Sequence, residues 1–91
     1  MEWKASHILV ADQNLARKLC QELKQGSRFE DLARTHSTCP SKSSGGDLGW
    51  FGPGSMVKAF EDAVQKTGVG SVTGPVHTQF GYHIIKVTGK K

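Results

Sequence analysis

Two different spacings of apolar residues alternate along this chain. Residues 4–10 alternate loosely and end in an apolar run, Ile8–Val10, which predicts an interior strand. From residue 12 to residue 25 the spacing becomes helical, because apolar side chains fall at i, i+1, i+4, i+5 and i+8. Asp12 is placed to cap that helix at its start, and Gly26 is placed to end it.

A second, shorter helix is predicted from about residue 28 to residue 36. Ser27 and Glu30 have the S-x-x-E spacing of a capping box, which marks the beginning of a helix. His36 continues the apolar stripe of this helix, so we interpret it as a half-buried packing residue and not as a ligand. Two consecutive helices are therefore expected to follow the first strand.

The stretch from residue 37 to residue 54 is rich in Gly and Ser and has no sustained period. It predicts a long loop with room for one short strand at 48–51. A loop of this length in a small domain is either functional or a sign that the elements are misassigned, and we interpret it as functional. It also carries Cys39, and its Trp50–Phe51 pair is expected to be exposed.

A third amphipathic helix and two strands complete the chain. Ser55 is placed to cap a helix whose apolar positions begin at Met56 and which Gly68 ends. A short strand at 72–77 contains a proline, so it is expected at an edge or at a bulge. The β-branched residues of 81–88 predict a final strand, close enough to form a hairpin with the one before. This order favours an α+β domain with a mixed or antiparallel sheet flanked by helices.

Composition and charge exclude several classes of protein. The chain has 91 residues, of which 36% are hydrophobic, and this predicts one domain over residues 1–91. No apolar run approaches the ~20 residues that span a bilayer, and no signal peptide is recognisable, so we expect a cytoplasmic protein with reduced thiols. The net charge of +4 comes from mixed charges without long runs, which disfavours binding to nucleic acid or to an anionic membrane surface.

Two histidines are predicted to lie on apolar faces of strands. His7 shares its strand face with Ala5 and Leu9, and His83 shares its face with Ile85. If the first and last strands are neighbours, the two imidazoles can meet in the core, where each has to place one donor and one acceptor. Such a pair can be a structural element that fixes the strand register or a part of an active site.

Other chemistry has less support in the sequence. Cys20 lies on a helix stripe and is interpreted as a packing residue, whereas Cys39 is a loop thiol. The chain has no C-x-x-C or H-x-x-x-H spacing for a metal and no phosphate-binding glycine motif. Met56 and Phe60 lie one turn apart on the predicted third helix, at its junction with the glycine-rich loop, where an apolar pocket can form.

Four ordered segments resemble one known family. They are ASHILV at 5–10, FEDLARTHSTCPS at 29–41, GGDLGWFGPGSMVKAFEDA at 45–63 and GPVHTQFGYHIIKV at 74–87. In this order they resemble the stand-alone, PpiC-like members of the parvulin-type peptidyl-prolyl cis/trans isomerases. The resemblance implies an α+β, parvulin/FKBP-like fold with a four-stranded antiparallel sheet surrounded by helices. Its element order is β-α-α-α-β-α-β-β, with the first and last strands adjacent.

The resemblance also implies roles for individual residues, and it implies neither a cofactor nor a metal. The paired core histidines would be His7 and His83, joined by the loop thiol of Cys39 and the hydroxyl of Thr78. Phe80 stands where some members carry Ser, so it would add apolar wall. The surface that holds the proline ring would consist of Leu48, Met56, Phe60 and Phe80.

The activity implied by the resemblance is rotation about Xaa-Pro peptide bonds, by non-covalent stabilisation of the twisted amide in an apolar pocket. The alternative is a peptide-binding or chaperone module with weak or no isomerase activity. Phospho-directed members carry a basic cluster just after the first strand, but residues 10–14 contain no Lys or Arg. We therefore expect a domain that is not phospho-specific. We also expect it to be a monomer that acts on proline-containing peptides and on unfolded or partly folded proteins.

Overall fold

A four-stranded antiparallel sheet forms the centre of the molecule and carries helices on both faces. The computed structural model describes all residues from 1 to 91. The strand order is β2-β1-β4-β3, so the first and last strands are neighbours and the predicted fold class is confirmed. The strands are β1 (Trp3–Val10), β2 (Asp47–Phe51), β3 (Val72–Thr78) and β4 (Gly81–Lys90); the helices are α1 (Gln13–Lys24), α2 (Phe29–His36) and α3 (Lys58–Lys66), with a 3₁₀ helix at Pro40–Ser44.

Each face of the sheet buries its own apolar cluster, because side chains alternate in direction along the central strands β1 and β4. One cluster lies beneath α3 and the other beneath α1 and α2. His7 and His83 are on the α3 side, as their strand positions predict. The α3-side cluster contains Trp3, Ala5, Phe51, Phe60, Val64, Ile85 and Val87, and the opposite cluster contains Ile8, Val10, Ala16, Leu19, Phe29, Ala33 and Ile84.

Both predicted ends of α1 are confirmed. The carboxylate of Asp12 accepts a hydrogen bond from the backbone N–H of Asn14 at 3.1 Å. Gly26 has a φ of 105°, and its N–H donates to the carbonyl of Leu23. The N–H of the next residue reaches back to Glu22, so the helix ends in a glycine-dependent Schellman arrangement.

The predicted capping box at Ser27 and Glu30 is wrong. Helix α2 begins at Phe29, and its N-cap is Arg28, which makes no side-chain hydrogen bond to the helix. The backbone N–H of Ser27 is already bonded to the carbonyl of Glu22, at the end of α1. Ser27 therefore terminates the first helix and lies one residue too early to begin the second.

The third helix begins later than predicted. Helix α3 starts at Lys58, its N-cap is Val57, and no side chain caps it, so neither the cap at Ser55 nor the helical position of Met56 is correct. The helix ends at Lys66 and its C-cap is Thr67, one residue before the predicted Gly68. Met56 and Val57 instead pack against the α3-side cluster as part of the connection from β2, and this packing displaces the helix start.

The remaining segments follow the predictions with small shifts. The long loop contains the 3₁₀ helix, which supplies the third helix in the order that the resemblance implied. Strand β3 lies at the sheet edge with a register shift between Thr73 and Val76, and it forms a hairpin with β4. None of the helices combines the length and the hydropathy that crossing a membrane requires.

Candidate active site

The two predicted histidines meet across the central strand pair. In the register of β1 and β4, Leu9 lies opposite His83 and His7 lies opposite Ile85, so the two imidazoles are diagonal neighbours on one face. Their rings stack at a centroid distance of 5.2 Å with an interplanar angle of 20°, and their Nδ1 atoms are 3.0 Å apart. Only 5% of His7 and 4% of His83 is exposed to solvent.

A hydrogen-bond chain connects this pair to the β3–β4 hairpin. The backbone N–H of Phe80 donates to Thr78 Oγ1 at 3.2 Å, and Thr78 Oγ1 lies 2.8 Å from His83 Nε2. If the Thr78 hydroxyl donates to His83 Nε2, the Nδ1–H of His83 donates to His7 Nδ1, and every group as far as His7 is satisfied. This assignment places the last proton on His7 Nε2, which is buried and has no hydrogen-bond partner.

Both histidines are neutral at pH 7. Burial, and to a smaller extent the nearby charge of a protonated His83, lower the pKa of His7 from 6.5 to about 4. Burial also lowers the pKa of His83. The pair therefore acts as a neutral hydrogen-bonded unit in a region from which water is largely excluded.

Phe60 completes the floor of the site. Its ring is 2% exposed and stands nearly perpendicular to both imidazoles, at 79° to His7 and 82° to His83. The corresponding centroid distances are 5.7 Å and 5.4 Å, which are contact distances for edge-to-face packing. A rigid surface of one phenyl and two imidazole rings results.

A cavity of about 500 Å³ opens above this floor. Of the eight residues predicted for the site, seven line it, and Thr78 reaches it through its hydrogen bond to His83. No Lys, Arg, Asp or Glu lines the cavity, and Phe80, at 60% exposure, forms part of its rim. The lining residues are His7, Leu9, Thr38, Cys39, Pro40, Leu48, Ser55, Met56, Val57, Phe60, Phe80 and His83.

The backbone near Cys39 is held against β1 by a serine that sequence analysis did not identify. The hydroxyl oxygen of Ser37 accepts hydrogen bonds from the N–H of Leu9 at 3.1 Å and of Cys39 at 3.3 Å, while the N–H of Thr38 donates to the carbonyl of Leu9 at 2.8 Å. Ser37 is only 3% exposed. Ser6 is the last residue of β1 that pairs with β2. Beyond it, these bonds supply hydrogen-bond partners for the β1 backbone, and they fix the position of Cys39 at the cavity.

A glycine brings the end of the same loop against β1. The N–H of His7 donates to the carbonyl of Gly46 at 2.9 Å. Gly46 has a φ of 88°, and a Cβ at this position would collide with the carbonyl oxygen of His7. The close approach therefore requires glycine, and it keeps the loop tied to the strand that carries the first histidine.

The sequence carried a signal for only one of the other cavity residues. Leu9 shares the strand face of His7, so its position could have been deduced from strand parity. Thr38, Ser55 and Val57 lie in loops and Pro40 begins the short 3₁₀ helix, and in neither place does a period indicate the direction of a side chain. Only the folded loops show that these residues face the cavity.

Three further residues have positions that bear on the predictions. Cys20 packs against the cluster beneath α1 and α2, where burial raises its pKa, in agreement with a packing role. Trp50 is 45% exposed, but Phe51 is buried at 6% exposure, so the expectation of an exposed pair is wrong for Phe51. It is buried because it pairs with Trp3 on β1 and contacts the ring of Phe60.

Comparisons with known proteins identify the family of this chain. Residues 2–91 match the family model described as the PPIC-type PPIASE domain. The foldase protein PrsA of Geobacillus kaustophilus is 55% identical over 89 residues, which are 97% of this chain and 32% of that protein. The chain therefore spans about a third of the length of these curated relatives.

Solved structures give the same result. The crystal structure of PrsA from Bacillus subtilis superposes with a TM-score of 0.94 at 51% identity, covering 98% of this chain and 35% of that one. The solution structure of NmPin, the parvuline of Nitrosopumilus maritimus, has a TM-score of 0.86 at 46% identity and covers 97% of this chain and 96% of that one. The chain thus belongs to the PpiC-type, or parvulin, family, and it is a peptidyl-prolyl cis/trans isomerase domain.

Proposed function

We propose that the domain isomerises Xaa-Pro bonds without forming a covalent bond, by holding the prolyl ring in the cavity above Phe60. The observation that carries this proposal is the combination of an uncharged, mostly apolar cavity with a buried, neutral hydrogen-bond network beneath it. The reaction is rotation about a bond, so no acid, base or nucleophile has to transfer an atom.

The physical task is to lower a rotational barrier of about 18–20 kcal/mol, which arises from amide resonance. A site that binds the twisted amide more tightly than either planar form lowers this barrier. The planar amide is strongly dipolar and is well solvated in water. An apolar cavity removes that solvation from the planar form and leaves the less dipolar twisted form comparatively favoured.

The residues that line the cavity have different roles in this task. Leu48, Met56 and Phe60 supply the apolar surface that grips the pyrrolidine ring and excludes water. Cys39 supplies a polarisable thiol beside the path of the substrate carbonyl. The network of His83 and Thr78 holds the floor in one orientation.

The charges around the cavity support a substrate without phosphate. No cationic residue lines the cavity, and residues 10–14, which span the turn between β1 and α1, contain no Lys or Arg. The carboxylate of Asp12 caps α1 in that turn, where a phosphate group would need cations. We therefore propose a preference for apolar or unselected residues before proline.

A panel of short peptides tests this proposal. NMR exchange spectroscopy measures the catalysed cis/trans rate for Leu-Pro, Ala-Pro, Glu-Pro and phosphoserine-Pro peptides of otherwise equal sequence. We expect acceleration of Leu-Pro and Ala-Pro, and no advantage for phosphoserine over Glu. A phosphoserine peptide accelerated about tenfold more than the Glu peptide, a difference of ~1.4 kcal/mol in barrier, would contradict the assignment.

The role of Phe60 has a matched control on the opposite face of the sheet. Phe60→Ala is expected to reduce the exchange rate more than tenfold, or by more than ~1.4 kcal/mol in barrier, because the floor of the cavity is removed. Phe29→Ala removes an equally buried ring from the other cluster and should cost a similar ~3–5 kcal/mol of stability without changing the rate of the folded fraction. Phe60→Leu serves if the alanine variant does not fold. An unchanged rate in a folded Phe60 variant would remove this residue from the site.

The proposed non-covalent role of Cys39 predicts that Cys39→Ser keeps most of the activity. The serine variant retains a small polar group at the same place, so the exchange rate should stay within about fivefold, or ~1 kcal/mol, of the parent. Inactivity of a folded serine variant would instead favour a covalent role for the thiol.

The wider role is the folding of other proteins. The similar PrsA proteins are named foldases, and this supports unfolded or partly folded chains as substrates. A refolding assay with a protein whose folding is limited by proline isomerisation tests this, since the domain should accelerate the slow phase. Peptide binding without exchange or acceleration would favour the alternative of a peptide-holding module. The cytoplasmic location and the monomeric state remain predictions.

A further inference from the structure

The connection between β2 and α3, residues 52–57, forms one lip of the cavity. Ser55, Met56 and Val57 from this lip line the cavity, and none of them belongs to a helix or strand. The first half of the lip reads Gly-Pro-Gly, and Gly54 has a φ of 85°. A segment of this composition can adopt many backbone conformations. It therefore needs a fixed contact to keep one conformation beside the Phe60 ring.

One side chain fixes the Gly54 end of the lip. Glu61 Oε1 accepts a hydrogen bond from the backbone N–H of Gly54 at 2.8 Å, and Glu61 Oε2 accepts one from Gln65 Nε2 at 3.3 Å. The second bond, one turn further along α3, orients the carboxylate toward the lip. Within the lip itself, the backbone contributes only the turn from Ser55 N–H to the carbonyl of Gly52, at 3.3 Å.

The position of Glu61 gives this bond its significance. Glu61 follows Phe60 directly in α3, so one turn of helix carries both the floor of the cavity and the anchor of its lip. Met56, which packs against the α3-side cluster, lies between the anchored Gly54 and the start of the helix. The Gly54 end of the lip is thus tied to α3 by a side-chain hydrogen bond on the outside of the site, while Met56 and Val57 pack against the cluster on the inside.

We propose that Glu61 is a positioning residue for substrate binding, which holds the lip in its binding conformation before the peptide arrives. This inference rests on the proposed function, because it assigns the cavity to the prolyl ring. If the lip is ordered in advance, binding does not have to order it. Loss of the bond then weakens binding and leaves the rotation step, which occurs at the floor, nearly unchanged.

The test compares three variants in the full chain. Glu61→Ala removes the acceptor, Glu61→Gln keeps a neutral acceptor at the same place, and Asp62→Ala is the control. Asp62 is the adjacent acidic residue and makes only an exposed ion pair with Lys58 at 3.5 Å. We expect Glu61→Ala to raise the KM for a Leu-Pro peptide about tenfold, the equivalent of ~1.4 kcal/mol, with kcat within about twofold. Glu61→Gln should remain close to the parent, and Asp62→Ala should change neither constant.

Two readouts that do not need turnover separate this inference from the proposed function. Peptide affinity measured from NMR chemical shifts should fall in Glu61→Ala, and the Gly54 amide should exchange faster with solvent in that variant alone. If the parent binds peptide without isomerising it, these readouts still decide the role of Glu61. An unchanged affinity in folded Glu61→Ala, an equal loss in Glu61→Gln, or a loss confined to kcat would each overturn the inference.

Discussion

The buried histidine pair makes the stability of this domain sensitive to acid. In the unfolded chain His7 takes up a proton near its ordinary pKa of 6.5, whereas in the folded protein burial lowers that pKa to about 4. Between these two values the unfolded state binds more protons than the folded state, so the free energy of unfolding decreases as the pH decreases. Above pH 6.5 both states are neutral at His7 and the full stability is present.

The expected magnitude follows from the size of the pKa difference. Each pKa unit corresponds to about 1.4 kcal/mol, so His7 alone should remove about 3 kcal/mol of stability between pH 6.5 and pH 4. His83 acts in the same direction, because burial lowers its pKa too. For a domain of this size such a loss is a large fraction of the total stability.

Urea unfolding at several pH values between 7.5 and 4.5 measures this effect, with tryptophan fluorescence as the probe, since Trp3 is buried in the folded state. Other groups also titrate in this range, so the informative quantity is the difference between the parent and His7→Leu. At pH 7.5 the parent should be more stable by about 1–3 kcal/mol, because the variant leaves His83 without its partner. This advantage should shrink toward pH 4.5.

His77→Gln is the control, since this histidine is exposed. It should follow the parent at every pH. An advantage of the parent over His7→Leu that stays constant from pH 7.5 to pH 4.5, or an NMR titration that places the His7 pKa near 6.5, would refute the reasoning.

Two further substitutions test how the loop is held against β1. Ser37→Ala should lower the free energy of unfolding by about 2–4 kcal/mol in urea titrations, because two backbone N–H groups lose their acceptor, and an unchanged midpoint would show that these bonds contribute nothing. Gly46→Ala should destabilise the protein by clearly more than Gly49→Ala in thermal unfolding. Both positions have positive φ, but only at Gly46 does the new methyl collide with the backbone, so equal losses would contradict the close packing that we describe.

The loops show why some features could not be predicted. Ser27 and Ser55 were both predicted as helix caps, and both predictions were wrong, because a cap depends on where the neighbouring chain segment ends and not on residue type alone. Ser37 carries no periodic signal, yet it joins Leu9 to Cys39 and so fixes the loop that carries Cys39. Ser37 matters because it accepts a hydrogen bond from the backbone of Leu9 in β1, which lies 28 residues earlier in the chain.

What the sequence determined by itself was the set of elements and the faces they present. Alternation along β1 and β4 placed His7 and His83 each on an apolar face of its strand. The resemblance of four segments indicated the family and, with it, that these two strands are neighbours. The tertiary structure decided the pairing geometry of the imidazoles, the burial that keeps them neutral, and the course of the two loops that enclose the cavity. Local periodicity depends on residues close together in sequence and can be recognised from the sequence alone. Burial and the anchoring of the loops depend on contacts between residues far apart in sequence.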